Sequence, residues 1–167
     1  VIQDTHEDPI LQGMMQVHGQ QASESFETLT YLTLRAGTNV VYANGSARNA
    51  VNTKISLGKV RSAVRTLNKN KCRKKTTILA PSVNYKTPAI EAAYVAVCHT
   101  DLEPDIRDLP GFVPVSQYGS RQTICPQEFG SVENVRFITT TIATPFADAG
   151  GLDGDAVLST TGTNADV

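Results

Sequence analysis

Along residues 9–36 the positions Leu11, Met15, His18, Ala22, Phe26, Leu29 and Thr33 repeat at intervals of three and four, the spacing of one helix face. Asp8 followed by Pro9 supplies an N-cap and a first-turn proline, and Gly37 ends the pattern. Such a helix is about 42 Å long at 1.5 Å per residue. Gly13 and Gly19 each weaken it by about 1 kcal/mol relative to alanine.

The pattern then changes period. "TNVVYANGS" is a β-branched run closing on Asn-Gly, which predicts a strand and hairpin. Ser56 is placed to cap a second helix whose apolar face is Leu57, Val60, Val64 and Leu67 and whose other face carries Lys59, Arg61, Arg65 and Lys69. That helix is expected to fray into "KCRKK". "TTILAPSV" reads as a strand, "YKTPAIEA" as a loop, and the unbroken apolar run "AYVAVCH" as a buried strand. "TDLE" has the form of a capping box, Thr100 with Glu103, opening a short helix that "LPGFVP" breaks. A loop over residues 118–133 follows, with Gly130 as the turn launching "NVRFITTTI", in which Val135 and Phe137 face one side. After Pro145 the Gly, Asp, Ala and Thr content predicts a long loop or frayed end. The class is therefore α+β, divided as a helix at 1–36, a mixed unit at 37–150 and a loop or truncated end at 151–167.

Charge sharpens this picture more than composition does. The net charge is only -1, yet no acid lies between Thr28 and Ile90, and that stretch holds 12 of the 15 basic residues. Five acids precede it, and eleven follow it against three arginines. Blocks segregated in this way favour a polyanionic partner or a second copy whose acidic region meets the basic one. No run of about 18 apolar residues is present, so no segment reads as a spanning helix and nothing points to a membrane partner. Three cysteines without a C-x-x-C pair signal neither a disulfide framework nor a zinc cluster, and the thiols are expected to be reduced.

Candidate chemistry is thin. His99, Asp101, Glu103, Asp105 and Asp108 are residue types that suit a divalent ion, but residues two apart on a helix diverge, and acids belong in a first helical turn on dipole grounds alone. "DGD" at 153–155 lacks the third ligand position and the distal glutamate of a calcium loop. Cys125 has no histidine nearby in sequence to activate it. His18, on the apolar face of the first helix, reads as a packed or partner-contacting residue. No nucleophile elbow, phosphate loop, dinucleotide fingerprint or zinc-protease motif occurs, so neither a catalytic centre nor a cofactor is expected. The basic helix with its extension, residues 57–75, supports an alternative reading as a nucleic-acid-binding module. No aromatic residue lies between Tyr42 and Tyr85 to stack on bases.

Four stretches taken together, "LRAGTNVVYANG", "VRTLNKNKCRK", "AYVAVCHTDLEPDIRDLPGFVPVSQYGS" and "EFGSVENVRFITT", resemble the major capsid proteins of tailed bacteriophages, in the N-four-type coat-protein family. The resemblance covers about residues 8–150. It implies the Hong Kong 97-like capsid fold, with residues 9–36 as the spine helix of the peripheral domain. The helix at 57–73 and the strand at 94–98 would belong to the axial domain, and the strand at 134–141 would lead back to the peripheral domain. It also implies a virion shell protein, assembled in the bacterial host cytoplasm as pentamers and hexamers of itself. A scaffold or decoration protein would be a further partner, and packaged DNA would be met only non-specifically. The N-terminal arm, the extended loop and the last strands of that fold are expected outside this chain, which reads as a fragment. Charge segregation makes Lys59, Arg61, Arg65, Lys69, Asp101, Glu103, Asp105 and Asp108 candidate interface residues. Arg121, Glu128, Glu133 and Arg136 join them as alternating charges suited to ion pairs within or between subunits, worth about 0–1 kcal/mol each when exposed.

Overall fold

The computed structural model describes residues 4–80, 89–118, 123–146 and 150. The chain divides into two units, Val1–Val40 and Val41–Val167. Predicted features at 81–88 and 151–167, together with Arg121, lie outside the described residues.

The first unit is one helix, α1, Asp4–Arg35. It starts five residues earlier than the Asp8–Pro9 pair suggests, so Pro9 lies inside the helix, where it lacks the amide that would donate to the Thr5 carbonyl. Its C-terminal half is rich in Ser and Thr. The hydroxyls of Ser25, Thr28, Thr30 and Thr33 each donate to the carbonyl four residues back, at 2.8 Å, sharing that acceptor with the helical ladder, which slightly weakens a helix. His18 is exposed rather than packed.

In the second unit no strand forms at 38–46. The Asn44 and Asn52 side chains bond each other, the Asn52 amide donates to Asn44 Oδ1 at 3.0 Å, and Gly45 takes the left-handed conformation (φ 67°). The asparagines satisfy this backbone locally, so the Asn-Gly turn closes a side-chain loop instead of a hairpin. Among the described residues the segment from Thr76 forms no strand and makes an isolated bridge, Leu79 to Ile90.

Helix α2, Leu57–Lys69, follows the sequence pattern, with Val60 buried and Leu57, Val64 and Leu67 half-buried. Ser56 begins it through its backbone carbonyl, which accepts from Lys59 and Val60, and not through its hydroxyl. The helix does not fray. The Cys72 amide donates to the Leu67 carbonyl and the Lys71 amide to the Asn68 carbonyl, both at 3.0 Å, while Lys71 sits at φ 56°. This is a Schellman ending, with a lysine where glycine is usual.

Four strands form one mixed sheet: β1 Tyr94–Cys98, β2 Phe112–Pro114, β3 Glu128–Val132 and β4 Val135–Thr139, in the order β1-β4-β3-β2. β1 runs parallel to β4, and β3 is antiparallel to both β4 and β2. Between β1 and β2 lies the short helix α3, Glu103–Arg107. The capping box does not form. His99 caps the preceding turn, its Nδ1 accepting from the Asp101 amide at 3.3 Å, and Glu103 turns instead to Arg107.

One sheet face carries the core. Phe129, Val132, Val135, Phe137 and Cys98 pack with Val60 of α2 and with Ile106 and Leu109 of the α3 region. The Phe112, Phe129 and Phe137 rings run in series at 5.9 and 6.1 Å. Burying each such side chain contributes about 1.5–3 kcal/mol. β1 is an edge strand with one buried face: Tyr94 and Cys98 point inward, while Val95 and Val97 are 37% and 58% exposed. The expectation of a strand buried on both sides is thus corrected.

The sequence predicts a loop where β3 forms, with Gly130 as its turn. The turn is instead at Glu133–Asn134, with Glu133 in the left-handed region (φ 47°). Gly130 lies inside β3 beside a register shift, where a Cβ would strike the Phe112 ring and stand 2.9 Å from the Val113 carbonyl.

Candidate functional site

Three groups of polar side chains stand out on the second unit. The first is an open cleft of about 530 Å³ between α2 and the β3–β4 turn, with Val60 and Val64 at its floor and Arg61, Arg65, Lys69 and Glu133 around it. Four-residue spacing puts Arg61, Arg65 and Lys69 on one line along α2. Glu133 reaches this line because the turn forces its backbone to positive φ. Its carboxylate accepts from Arg61 Nε at 3.0 and 3.1 Å and from Nη2 at 2.5 Å. The pairing draws the Glu133 carboxyl below its ordinary range and raises the Arg61 guanidinium. On the far side of the turn the Lys74 ammonium donates to Asn134 Oδ1 at 3.2 Å, and the Asn134 amide donates to Glu91.

The second group is the acidic stretch around α3. Asp105 meets Lys54 at 3.1 Å, Glu103 meets Arg107 at 2.6 Å, and Asp101 lies 3.0 Å from His99 Nδ1. Asp108 is exposed. Among the described residues no three His, Cys, Asp or Glu side chains are grouped to hold a metal.

The third group is buried. On the sheet face opposite the core, register places Arg136 beside Ser131 of β3 and Val95 of β1. Arg136 and Glu128 are 2% and 5% exposed, and Arg136 Nε stands 3.7 Å from Glu128 Oε1. Glu128 is held elsewhere: the Tyr118 hydroxyl donates to Oε1 at 3.0 Å and the Ile124 amide to Oε2 at 2.7 Å. Nε and Nη2 of Arg136 make no hydrogen bond, and its guanidinium lies 5.6 Å from the Tyr118 ring centre. Burial, together with the Glu128 carboxylate, pushes the Tyr118 hydroxyl up to about 12. Burial also pushes the Cys98 thiol up to about 11, with Glu103 adding to it.

The candidate interface residues therefore divide. Glu103, Asp105, Arg61 and Glu133 are engaged within the chain, as is Asp101 through His99. Glu128 and Arg136 form an interior pair rather than a surface one. Lys59 is half-buried, and Arg65, Lys69 and Asp108 are exposed. Sequence reasoning missed Lys54 and Tyr118. Lys54 has no local signal for a partner 51 positions away, and Tyr118 offered only an aromatic residue at the start of a glycine loop.

No known family matches the chain, and no curated protein aligns with it. Among the described residues no helix is long and apolar enough to cross a membrane.

Proposed function

We propose that the chain is a structural subunit of an icosahedral bacteriophage capsid with the Hong Kong 97-like fold, assembling with copies of itself around packaged DNA and performing no catalysis. The observation that supports this most is α1. The helix is about 48 Å long, and Leu11, Met14, Met15, Val17, Phe26, Leu29, Leu32 and Leu34 along it are all exposed, Met15 and Leu34 by 74% and Phe26 by 72%. With 3.6 residues per turn these side chains, Leu34 apart, spread over roughly half the circumference. Exposed apolar side chains gathered over residues 11–17 and again over 26–34 mark an interaction surface. Shell assembly supplies the covering, because each subunit repeats the same contacts under closed symmetry. The resemblance of four stretches to N-four-type coat proteins points the same way, with α1 as the spine helix and the mixed sheet as the centre of the axial domain.

The test is expression of the protein, followed by electron microscopy and sedimentation. Shells, or rings of five and six copies, are the expected result. Monomers at every salt concentration would overturn the proposal.

A further inference from the structure

Two of the acids that the sequence offered to the basic strip, Glu103 and Asp105, are engaged within the chain itself. Of the four acids at residues 101–108, Asp105 is paired with Lys54 and Glu103 with Arg107 inside the chain, and Glu133 occupies Arg61. Among residues whose side chains are described, Glu24, Glu27, Glu91, Asp101 and Asp108 make no ion pair with a lysine or arginine, and Glu91 already accepts from Asn134. Six cations of the strip have no carboxylate partner: Lys59, Arg65, Lys69, Lys71, Arg73 and Lys75. Among the described residues these acids are spread over α1, the segment before β1 and the α3 region, whereas the six cations fall within residues 59–75.

The strip is also built rather than loose. Arg65 and Lys69 stand one helical turn apart, about 6 Å along the axis. The Schellman ending then reverses the chain at Lys71. The Tyr94 hydroxyl donates to the Cys72 carbonyl at 2.9 Å, and the Lys75 and Thr76 amides donate to the Ala93 carbonyl at 3.1 and 3.3 Å. Lys74 is tied to Asn134 across the turn. Residues 71–76 are thus stitched to β1 and to the β3–β4 turn, which places Lys71, Arg73 and Lys75 on the surface that α2 begins. Holding the cations in place beforehand lowers the ordering cost of binding.

We propose that Lys59, Arg65, Lys69, Lys71, Arg73 and Lys75 form a preorganised strip that binds the phosphate backbone of nucleic acid without reading its sequence. The charges are of one sign and exposed apart from half-buried Lys59, as backbone neutralisation requires. No aromatic residue lies between Tyr42 and Tyr85 to stack on bases, which separates the strip from single-strand readers. Arg61 is excluded from it by Glu133. This assignment stands independently of the shell reading.

Fluorescence anisotropy of labelled duplexes of two unrelated sequences, titrated with the chain at several salt concentrations, tests it. Both duplexes should bind equally, and log affinity should fall linearly with log salt. Arg65→Gln, Lys69→Gln and Arg73→Gln should each reduce that slope by about 0.9, while Arg61→Gln should leave it unchanged. Because all four side chains are exposed, circular dichroism of each variant should match the parent. The proposal fails if neither duplex binds at low salt. It also fails if the triple variant keeps the parent slope, if one sequence is strongly preferred, or if polyglutamate binds better than DNA. Particle assembly, scored separately by microscopy, distinguishes failure here from failure of the shell reading.

Discussion

Arg136 is the residue under the greatest electrostatic demand. Its guanidinium is buried, the Glu128 carboxylate is 3.7 Å away, and two of its nitrogens make no hydrogen bond among the described residues. Removing one member of a buried pair costs about 3–5 kcal/mol, whereas replacing both by groups of similar volume is often nearly neutral. Glu128→Gln is therefore expected to destabilise the chain by about that amount, and Glu128→Gln with Arg136→Met by clearly less. Urea unfolding of both single variants and the double variant measures the coupling. Additivity within about 0.5 kcal/mol would show that the two groups act separately. Glu133 makes the contrasting, exposed pair. Its carboxyl titrates below the ordinary value of 4.5 through its hydrogen bonds to Arg61. A depressed folded value means stability that is fully present above the ordinary range and lost as pH falls through the folded value. Glu133→Gln should therefore lower the urea midpoint at pH 7 and have no effect once the parent carboxyl is protonated. Added salt should shrink the difference at pH 7, because water screens an exposed pair. Glutamine keeps the same positive-φ cost as glutamate, so the comparison isolates the ion pair.

At the scale of elements, β3 depends on the absence of a side chain at Gly130. The Phe112 ring of β2 fills the place where a Cβ would lie. Gly130→Ala should cost about 1–3 kcal/mol, as overpacking does, and the loss should appear in thermal unfolding and as weaker protection of β2 amides. A stability equal to the parent's would mean that the β2–β3 packing is looser than the geometry states. This strand shows why the sequence was only partly legible. α2 could be read because its apolar residues repeat at helical spacing, and β4 because Val135 and Phe137 alternate. β3 could not be read because "EFGSV" contains a glycine, a buried glutamate and a register shift, each of which hides the period of two. "TNVVYANGS" carried the opposite error: its β-branched residues had no neighbouring strand to pair with, and Asn44 and Asn52 bonded each other instead. Likewise Thr100 and Glu103 match a capping box, but His99 already caps the turn and Arg107, four residues on, captures the glutamate. The buried Glu128–Arg136–Tyr118 group was half legible: alternating charges suggested ion pairs, and nothing in their spacing told that the pair lies inside.

At the scale of the whole molecule, charge and apolar surface are distributed between the two units in different ways. Residues 1–40 carry five acids and one arginine, and residues 41–167 carry fourteen cations and eleven acids. Among the described residues the second unit has a core of eight buried residues from its sheet and helices. α1 presents its apolar residues to solvent and gains no such burial. Helices in proteins derive most of their stability from tertiary packing of one face, since intrinsic propensity contributes little. Glycines at 13 and 19 lower that propensity further, by about 1 kcal/mol each. Hydrogen exchange followed by mass spectrometry should therefore divide the unassembled chain: α1 amides exchanging early, and β4 amides, at the centre of the sheet, exchanging last. In assembled particles the order should change, with α1 protection rising as neighbouring subunits cover Leu11, Met15, Phe26 and Leu29, while β4 changes little because its contacts are already made. If α1 were equally unprotected in particles and in the free chain, its exposed apolar surface would not be the assembly contact, and the shell proposal would lose its main support.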